Sequence, residues 1–160
     1  MNSVITGNNI NNTWKYGGGI ATSGTLNLYF STIADNYAYD GGGLNAGSIE
    51  NIYNSIIWGN DIDGSQSNPE IRGAANTLYL TEIAADPSFV LRSTATKTIP
   101  QSDGDYRLTC PDPGTTCSNC VDTGDETNKP IGDDDIIGTV RPVDIGSIGD
   151  GSNDYDKGAV

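Results

Sequence analysis

Histidine is absent from this 160-residue chain. That absence removes Ser-His-Asp and Cys-His nucleophile mechanisms and the usual zinc sites, because each needs an imidazole as base or ligand. Cationic side chains are scarce: 8 Lys and Arg stand against 21 Asp and Glu, a formal net charge of −13. A chain so acidic, with no stripe of Lys or Arg, repels phosphate backbones and anionic lipid, so neither nucleic acid nor a membrane surface is an expected partner. No run of about 18 apolar residues exists, and no helical membrane span is therefore expected. Helical periodicity is missing as well, which argues against a helical repeat. Hydrophobic residues make up only 35% of the chain while 21 positions are Gly, a balance that suits a turn-rich all-β protein rather than a helix bundle.

What is present is a repeat. Gly17-Gly18-Gly19-Ile20 leads to Ser31-Thr32-Ile33-Ala34-Asp35-Asn36, and Gly41-Gly42-Gly43-Leu44 leads to Ser55-Ile56-Ile57-Trp58-Gly59-Asn60. One constant offset relates the two copies, a period of about 24 residues, and periods of this length mark solenoids and related arrays. Within that period Asn27 aligns with Asn51, Leu28 with Ile52 and Tyr29 with Tyr53. An earlier copy, Ser3-Val4-Ile5-Thr6-Gly7-Asn8, stands four positions too far before Ser31-Thr32-Ile33 for a single period, which places a four-residue insertion within Asn9–Trp14. Leu78-Tyr79-Leu80 follows Glu50-Asn51-Ile52 at the same lengthened spacing and reads as the start of another repeat.

Short alternating runs such as Thr25-Leu26-Asn27-Leu28 read as strands separated by glycine turns, and one period has room for three strands of about 4–5 residues with three bends. The expected fold is therefore all-β, a right-handed parallel β-helix over residues 1–92, with an irregular acidic C-terminal region over 93–160 that caps or extends it. Ile5, Ile33 and Ile57 are expected to stack in one interior column, with Leu28 and Ile52 in another. Asn8, Asn36 and Asn60 are expected at a bend, where asparagine tolerates left-handed geometry and its amide can bond the next repeat.

These repeats resemble right-handed parallel β-helix proteins of the pectate-lyase-like superfamily, especially secreted bacterial proteins with polymorphic-outer-membrane-protein-like repeats. The second half carries the likeness further, through Asp86-Pro87-Ser88-Phe89, Asp105-Tyr106-Arg107-Leu108, Ser118-Asn119-Cys120-Val121-Asp122, Gly138-Thr139-Val140-Arg141-Pro142 and Asp156-Lys157-Gly158-Ala159 in that order. It departs where Asn119 stands in place of the usual Pro and where Cys110 to Cys117 forms an insertion. The resemblance implies a fold and an exported, extracellular or cell-surface setting. It implies no activity, since function resides in sites grafted onto folds. The chain enters directly at Asn2-Ser3-Val4-Ile5 with no signal peptide and stops at Gly158-Ala159-Val160, so it is expected to be a piece of a longer exported protein.

The remaining candidates concern sites. Cys110, Cys117 and Cys120 suggest a disulfide from Cys110 to either of the other two, the alternative being a thiolate metal site that lacks a fourth ligand. Residues 101–160 hold 13 acidic and 4 basic side chains. Pairs such as Asp61/Asp63 and Asp103/Asp105 are the only reading that would support glycoside hydrolysis or a lyase, and acids two apart in glycine-rich loops are more often turn formers. No cofactor is required; calcium is the cation whose oxygen chemistry suits Asp61, Asp63, Asp133 and Asp135, against the plainer reading of solvated loops. Asn11 opens the only Asn-x-Ser/Thr sequon. Trp14, Tyr16, Tyr37, Tyr39 and Trp58 lie near turns and offer faces for sugar rings or an interface. Up to residue 80 the only cations are Lys15 and Arg72. The expected role is that of a non-catalytic extracellular structural protein, a stalk, adhesin or filament protomer that self-associates or meets a carbohydrate or cell surface. The alternative is a polysaccharide-binding module or polysaccharide-degrading enzyme.

Overall fold

The computed structural model describes residues 3–11, 14–63, 69–73, 75–79, 87, 89–91 and 105–108. Every regular element among them is a β-strand: β1 (Ser3–Thr6), β2 (Ile20–Tyr29), β3 (Ser31–Ala34), β4 (Tyr37–Ala38), β5 (Leu44–Tyr53), β6 (Ile56–Trp58), β7 (Asp61–Ile62), β8 (Ile71–Arg72), β9 (Ala75–Tyr79), β10 (Phe89–Leu91) and β11 (Asp105–Leu108). Cys110, Cys117, Cys120, Asp133 and Asp135 lie outside the described residues. So does most of the 93–160 region, although β11 falls within it and pairs antiparallel with β10, across the boundary drawn from sequence.

Three parallel ladders organise residues 3–79. β1 pairs with β3 and β3 with β6, β4 pairs with β7, and β2 pairs with β5, which in turn pairs with β8 and β9. The registers follow the sequence period. Ile5 lies beside Ile33 and Ile33 beside Ile57, while Leu28 lies beside Ile52 and Tyr29 beside Tyr53. Side chains in register on parallel neighbours face the same way, so each identity in the repeat becomes a contact. Leu28, Ile33, Leu44, Ala46, Ile52 and Ile57 accordingly form one buried cluster, against which Ile5, Ile20, Leu26 and Ile71 pack. Each fully buried Ile or Leu in it contributes about 1.5–3 kcal/mol relative to exposure. A second cluster joins Ala34 and Ile56 to Val4, Trp58 and Leu108, so β11 packs on the opposite face of the β1–β3–β6 sheet.

Three expectations are corrected. Strands of about equal length were expected, but each period carries one of 10 residues (β2, β5), one of 4 or 3 (β3, β6) and one of 2 (β4, β7). Gly24 does not break β2, because the ladder absorbs the irregularity as register shifts between Thr22 and Thr25 and between Leu26 and Asn27. Second, Leu78 falls beside Ile52 and Tyr79 beside Tyr53, whereas the sequence alignment had set Leu78 opposite Glu50. Third, the left-handed residues at the asparagine bend are those immediately before the asparagines: Gly7, Asp35 and Gly59 have φ of 67°, 52° and 72°. A glycine or aspartate takes that backbone strain at low cost, which frees the asparagines for hydrogen bonding.

The asparagines form a continuous ladder. The Asn36 amide oxygen accepts from the backbone N–H of Asn8 at 3.0 Å and from its side chain at 2.9 Å; the Asn60 oxygen receives the same pair from Asn36 at 3.0 and 2.9 Å. The Asn36 Nδ2 also donates to the carbonyls of Ile5 and Ala34, and the Asn60 Nδ2 to that of Ile33. Glu70 Oε2 accepts from Asn60 Nδ2 at 2.6 Å and so stands where a further asparagine would continue the series. Elsewhere Ser55 Oγ accepts from the Ser31 N–H at 3.2 Å, and the Tyr29 and Tyr53 rings stack at 5.4 Å with planes 5° apart.

The ladder is expected to outweigh a core methyl. Asn36→Leu, which strands several buried partners at once, should cost at least about 2 kcal/mol, against about 0.5–1.5 kcal/mol for Ile33→Val. Asn27→Ala, which removes only the exposed 3.1 Å bond from Asn51, should cost well under about 1 kcal/mol, all three measured by urea denaturation.

Candidate functional site

The four-residue insertion sets the site. Asn9 bridges Tyr37, still at the lengthened spacing, whereas Tyr16 bridges Asp40 at the regular one. The extra residues therefore lie between Asn9 and Tyr16. They bring Trp14 and Lys15 over the outer face of the β2–β5–β8 sheet, where residues Ala21, Asn45 and Arg72 occupy one column.

An open groove of about 560 Å³ results, lined by Trp14, Lys15 and Tyr16 on one side and by Ala21, Thr22, Ser23, Asn45, Ala46, Gly47 and Arg72. Lys15 and Arg72, the only cations before residue 80, both line it, and no acidic residue does so among the described residues. Arg72 is held in three ways. Its Nε pairs with Asp40 Oδ2 at 2.7 Å, its Nη1 donates to Asn45 Oδ1 at 3.1 Å, and its guanidinium lies 4.2 Å from the centre of the Tyr16 ring. Gly41 makes room for it: φ there is +64°, and a Cβ would stand 2.7 Å from that of Arg72. Asp40 is nearly buried, its Oδ1 has no hydrogen-bond partner among the described residues, and its Oδ2 is engaged by Arg72.

The aromatic candidates divide. Trp14 is 68% exposed, packs against Tyr39 with centroids 5.2 Å apart, and Tyr39 meets Tyr16 edge to face at 6.1 Å. Tyr37 is buried in the wall beneath and Trp58 packs on Ala34 and Ile56, so neither offers its ring to the groove. Trp14 also has φ of 67°. A bulky residue seldom accepts that conformation, which costs about 1–3 kcal/mol. The other non-glycine residues with positive φ fall in columns set by the repeat, Phe30 with Asn54 and Asp35 with Gly7 and Gly59, but Trp14 belongs to the insertion and has no counterpart.

The acidic candidates do not converge with this site. Asp61 pairs with Tyr37 in β7 and its Oδ1 accepts from the Ile62 N–H at 2.8 Å, while the Asp63 N–H donates to the Ala38 carbonyl. Asp105 opens β11, and Asp103 lies outside the described residues. Among the described residues no three acidic or cysteine side chains form a group fit for a metal ion, and Asn11 is exposed. Sequence reading missed Asp40, Asn45 and Glu70. The signal for the first was available, since Asp40 immediately precedes the second glycine triplet and faces Tyr16 across one period.

Arg72→Ala should destabilise by about 1–2 kcal/mol, because it strips the nearly buried Asp40 carboxyl of its ion-pair partner, an effect moderated by the solvent around the half-exposed Arg72. Asp40→Asn combined with Arg72→Ala should recover part of that loss, a coupling that denaturation of the four variants measures. Acrylamide should quench Trp14 strongly, and a Trp14→Phe variant should retain only the weakly quenched emission of Trp58. No family model matches the chain, and no curated protein or solved structure does so either.

Proposed function

We propose that the chain is part of a right-handed parallel β-helix, akin to the pectate-lyase-like proteins its repeats resemble, and that it serves as a non-catalytic structural element of an exported protein. One observation carries this reading. Three separate ladders, each parallel, advance by one repeat per strand, Ile33 to Ile57 and Tyr37 to Asp61 at the regular period, Ile5 to Ile33 and Leu44 to Ile71 at lengthened ones, as successive coils of a single winding chain would. The asparagine bonds recur across three repeats, and the Tyr29–Tyr53 stack and the Ser31–Ser55 bond each join residues one period apart, so matching positions of the repeat tie neighbouring coils together. Such a column is stiff, since every coil is hydrogen-bonded to the next, and its stability grows by addition of units. It suits a stalk, an adhesin or a protomer that continues the pairing head to tail with another copy.

The engagement of Asp61 and Asp63 in turn and strand contacts favours this role over polysaccharide cleavage. The lack of acidic residues among those described in the groove favours it too, because glycoside hydrolysis needs two facing carboxyl groups.

Duplicating Tyr37–Asn60 in tandem tests the coil arrangement, since the new junction reproduces the native Asn36–Tyr37 step. The lengthened chain should fold with an unchanged or raised thermal midpoint and a proportionate far-ultraviolet β signal; failure to fold would overturn the proposal. Incubation with neutral and acidic polysaccharides should release no reducing ends or unsaturated products. Release that Asp61→Asn/Asp63→Asn abolishes would establish an enzyme instead.

A further inference from the structure

We infer that the groove beside Trp14 is a docking site for a proline-rich peptide segment in the polyproline II conformation, flanked by an acidic residue. The hydrogen-bonding groups that line the groove carry this reading, because they are weighted toward donors. Asn45 Oδ1 already accepts from Arg72 Nη1 at 3.1 Å, which leaves the Asn45 amide N–H groups to meet a ligand. Thr22 Oγ1 accepts from the Gly24 N–H at 3.1 Å, which favours an outward-donating hydroxyl proton. The Lys15 ammonium and the Trp14 indole N–H donate only. No carboxylate lines the groove among the described residues, and the hydroxyls of Tyr16 and Ser23 add groups of either kind.

A run of prolines is the complement of such a surface. Each proline carries a carbonyl and no N–H, and in polyproline II no carbonyl is bonded within the segment. A sugar hydroxyl, by contrast, brings a donor with every acceptor and would meet few acceptors here. The apolar contact fits as well. Trp14 is the one large hydrophobic side chain exposed among the described residues, Tyr16 lines the groove beside it, and pyrrolidine rings dock between aromatic side chains of this kind. Ala21, Ala46 and Gly47 keep the floor shallow. The site is also set in advance: the Tyr39 N–H donates to the Lys15 carbonyl at 3.0 Å, the Gly17 N–H to the Asp40 carbonyl at 3.2 Å, and Tyr39 steadies the indole at 5.2 Å. A stiff segment meeting a preformed groove loses little freedom on binding. The left-handed backbone of Trp14 falls outside the repeat, and strain held without a packing reason is a mark of functional sites.

Charge fixes the flank. Arg72 is committed to Asp40, which leaves the exposed Lys15, with no ion pair among the described residues, as the cation that meets a ligand carboxylate. Lys15 follows Trp14 directly, so the acid belongs next to the prolines that cover the indole. A lone carboxylate or phosphate would satisfy the donors and leave the indole face bare. The test is titration of the full chain with an acetylated peptide of about six prolines followed by an Asp-Asp pair, read by the Trp14 indole N–H shift in NMR spectra. Comparators are the same peptide with alanine in place of proline, the same peptide ending in Lys-Lys, a cello-oligosaccharide and an oligogalacturonate. The proline–aspartate peptide should bind at least about tenfold more tightly than the alanine peptide and weaken as salt rises. Trp14→Ala should weaken it by about tenfold or more. Lys15→Ala should remove the preference for Asp-Asp over Lys-Lys while leaving binding of the proline run in place.

Trp14 and Lys15 are both exposed, and unchanged thermal midpoints will show that neither substitution acts through folding. If Trp14→Ala lowers the midpoint, the Lys15→Ala comparison still decides. Absence of binding by the proline–aspartate peptide, equal affinity for its alanine counterpart, tighter binding of either oligosaccharide, or indifference to Trp14→Ala or Lys15→Ala would each overturn the site. The coil duplication tests the scaffold independently: a lengthened chain that folds, paired with a groove that takes no proline-rich peptide, refutes the site alone.

Discussion

The structure depends on parallel pairing of the chain with itself one period later. A parallel ladder alone does not fix register, since backbone hydrogen bonds form equally well after a slip of two positions. Register comes from the side chains that recur. The amide oxygens of Asn36 and Asn60 each accept two bonds from the asparagine of the preceding repeat, while their amide nitrogens reach a neighbouring backbone carbonyl. A slip would leave these buried groups without partners, a penalty larger than most single apolar contacts provide. The interior isoleucines supply the driving force, and the asparagines supply the uniqueness.

The insertion between Asn9 and Tyr16 works because the ladders on both sides of it are already fixed. Asn9 and Tyr16 each pair with the next repeat, so the additional residues must leave the wall and fold over an outer face. The same rigid wall orients Arg72. Held by Asp40, Asn45 and Tyr16, it forms part of the groove through a rigid set of contacts, while Lys15 remains exposed. A regular scaffold thus carries one irregular segment, and the chemistry collects where the regularity is interrupted. This follows from the scaffold's geometry: the strands of the repeat supply the outer surface, and the insertion adds side chains that stand above it.

The glycine triplets show how one sequence feature serves two physical needs. Their first members, Gly17 and Gly41, take φ of 74° and 64°, which only glycine adopts freely. The second and third lie where the backbones of adjacent repeats come closest: a Cβ on Gly18 would stand 2.5 Å from the Gly42 carbonyl oxygen, and one on Gly42 would overlap the Asp61 carbonyl oxygen. The triplet therefore marks a corner where consecutive repeats approach without side chains between them.

Much of this was legible in the order of residues. The period, the parallel partners Ile5 with Ile33 and Ile33 with Ile57, the Asn27, Leu28 and Tyr29 alignments and the location of the insertion are all properties of spacing, and spacing is what a self-pairing chain reads. The sequence did not reveal that the left-handed strain falls on Gly7, Asp35 and Gly59 rather than on the asparagines, because φ is decided by how a bend closes against its neighbour. Nor did it reveal that Leu78 comes to lie beside Ile52, which depends on how much chain the preceding corner takes up. The groove was hidden for a related reason: Trp14, Lys15, Asn45 and Arg72 share no local pattern, and only the parallel pairing of the strands brings residues so far apart in sequence onto one surface.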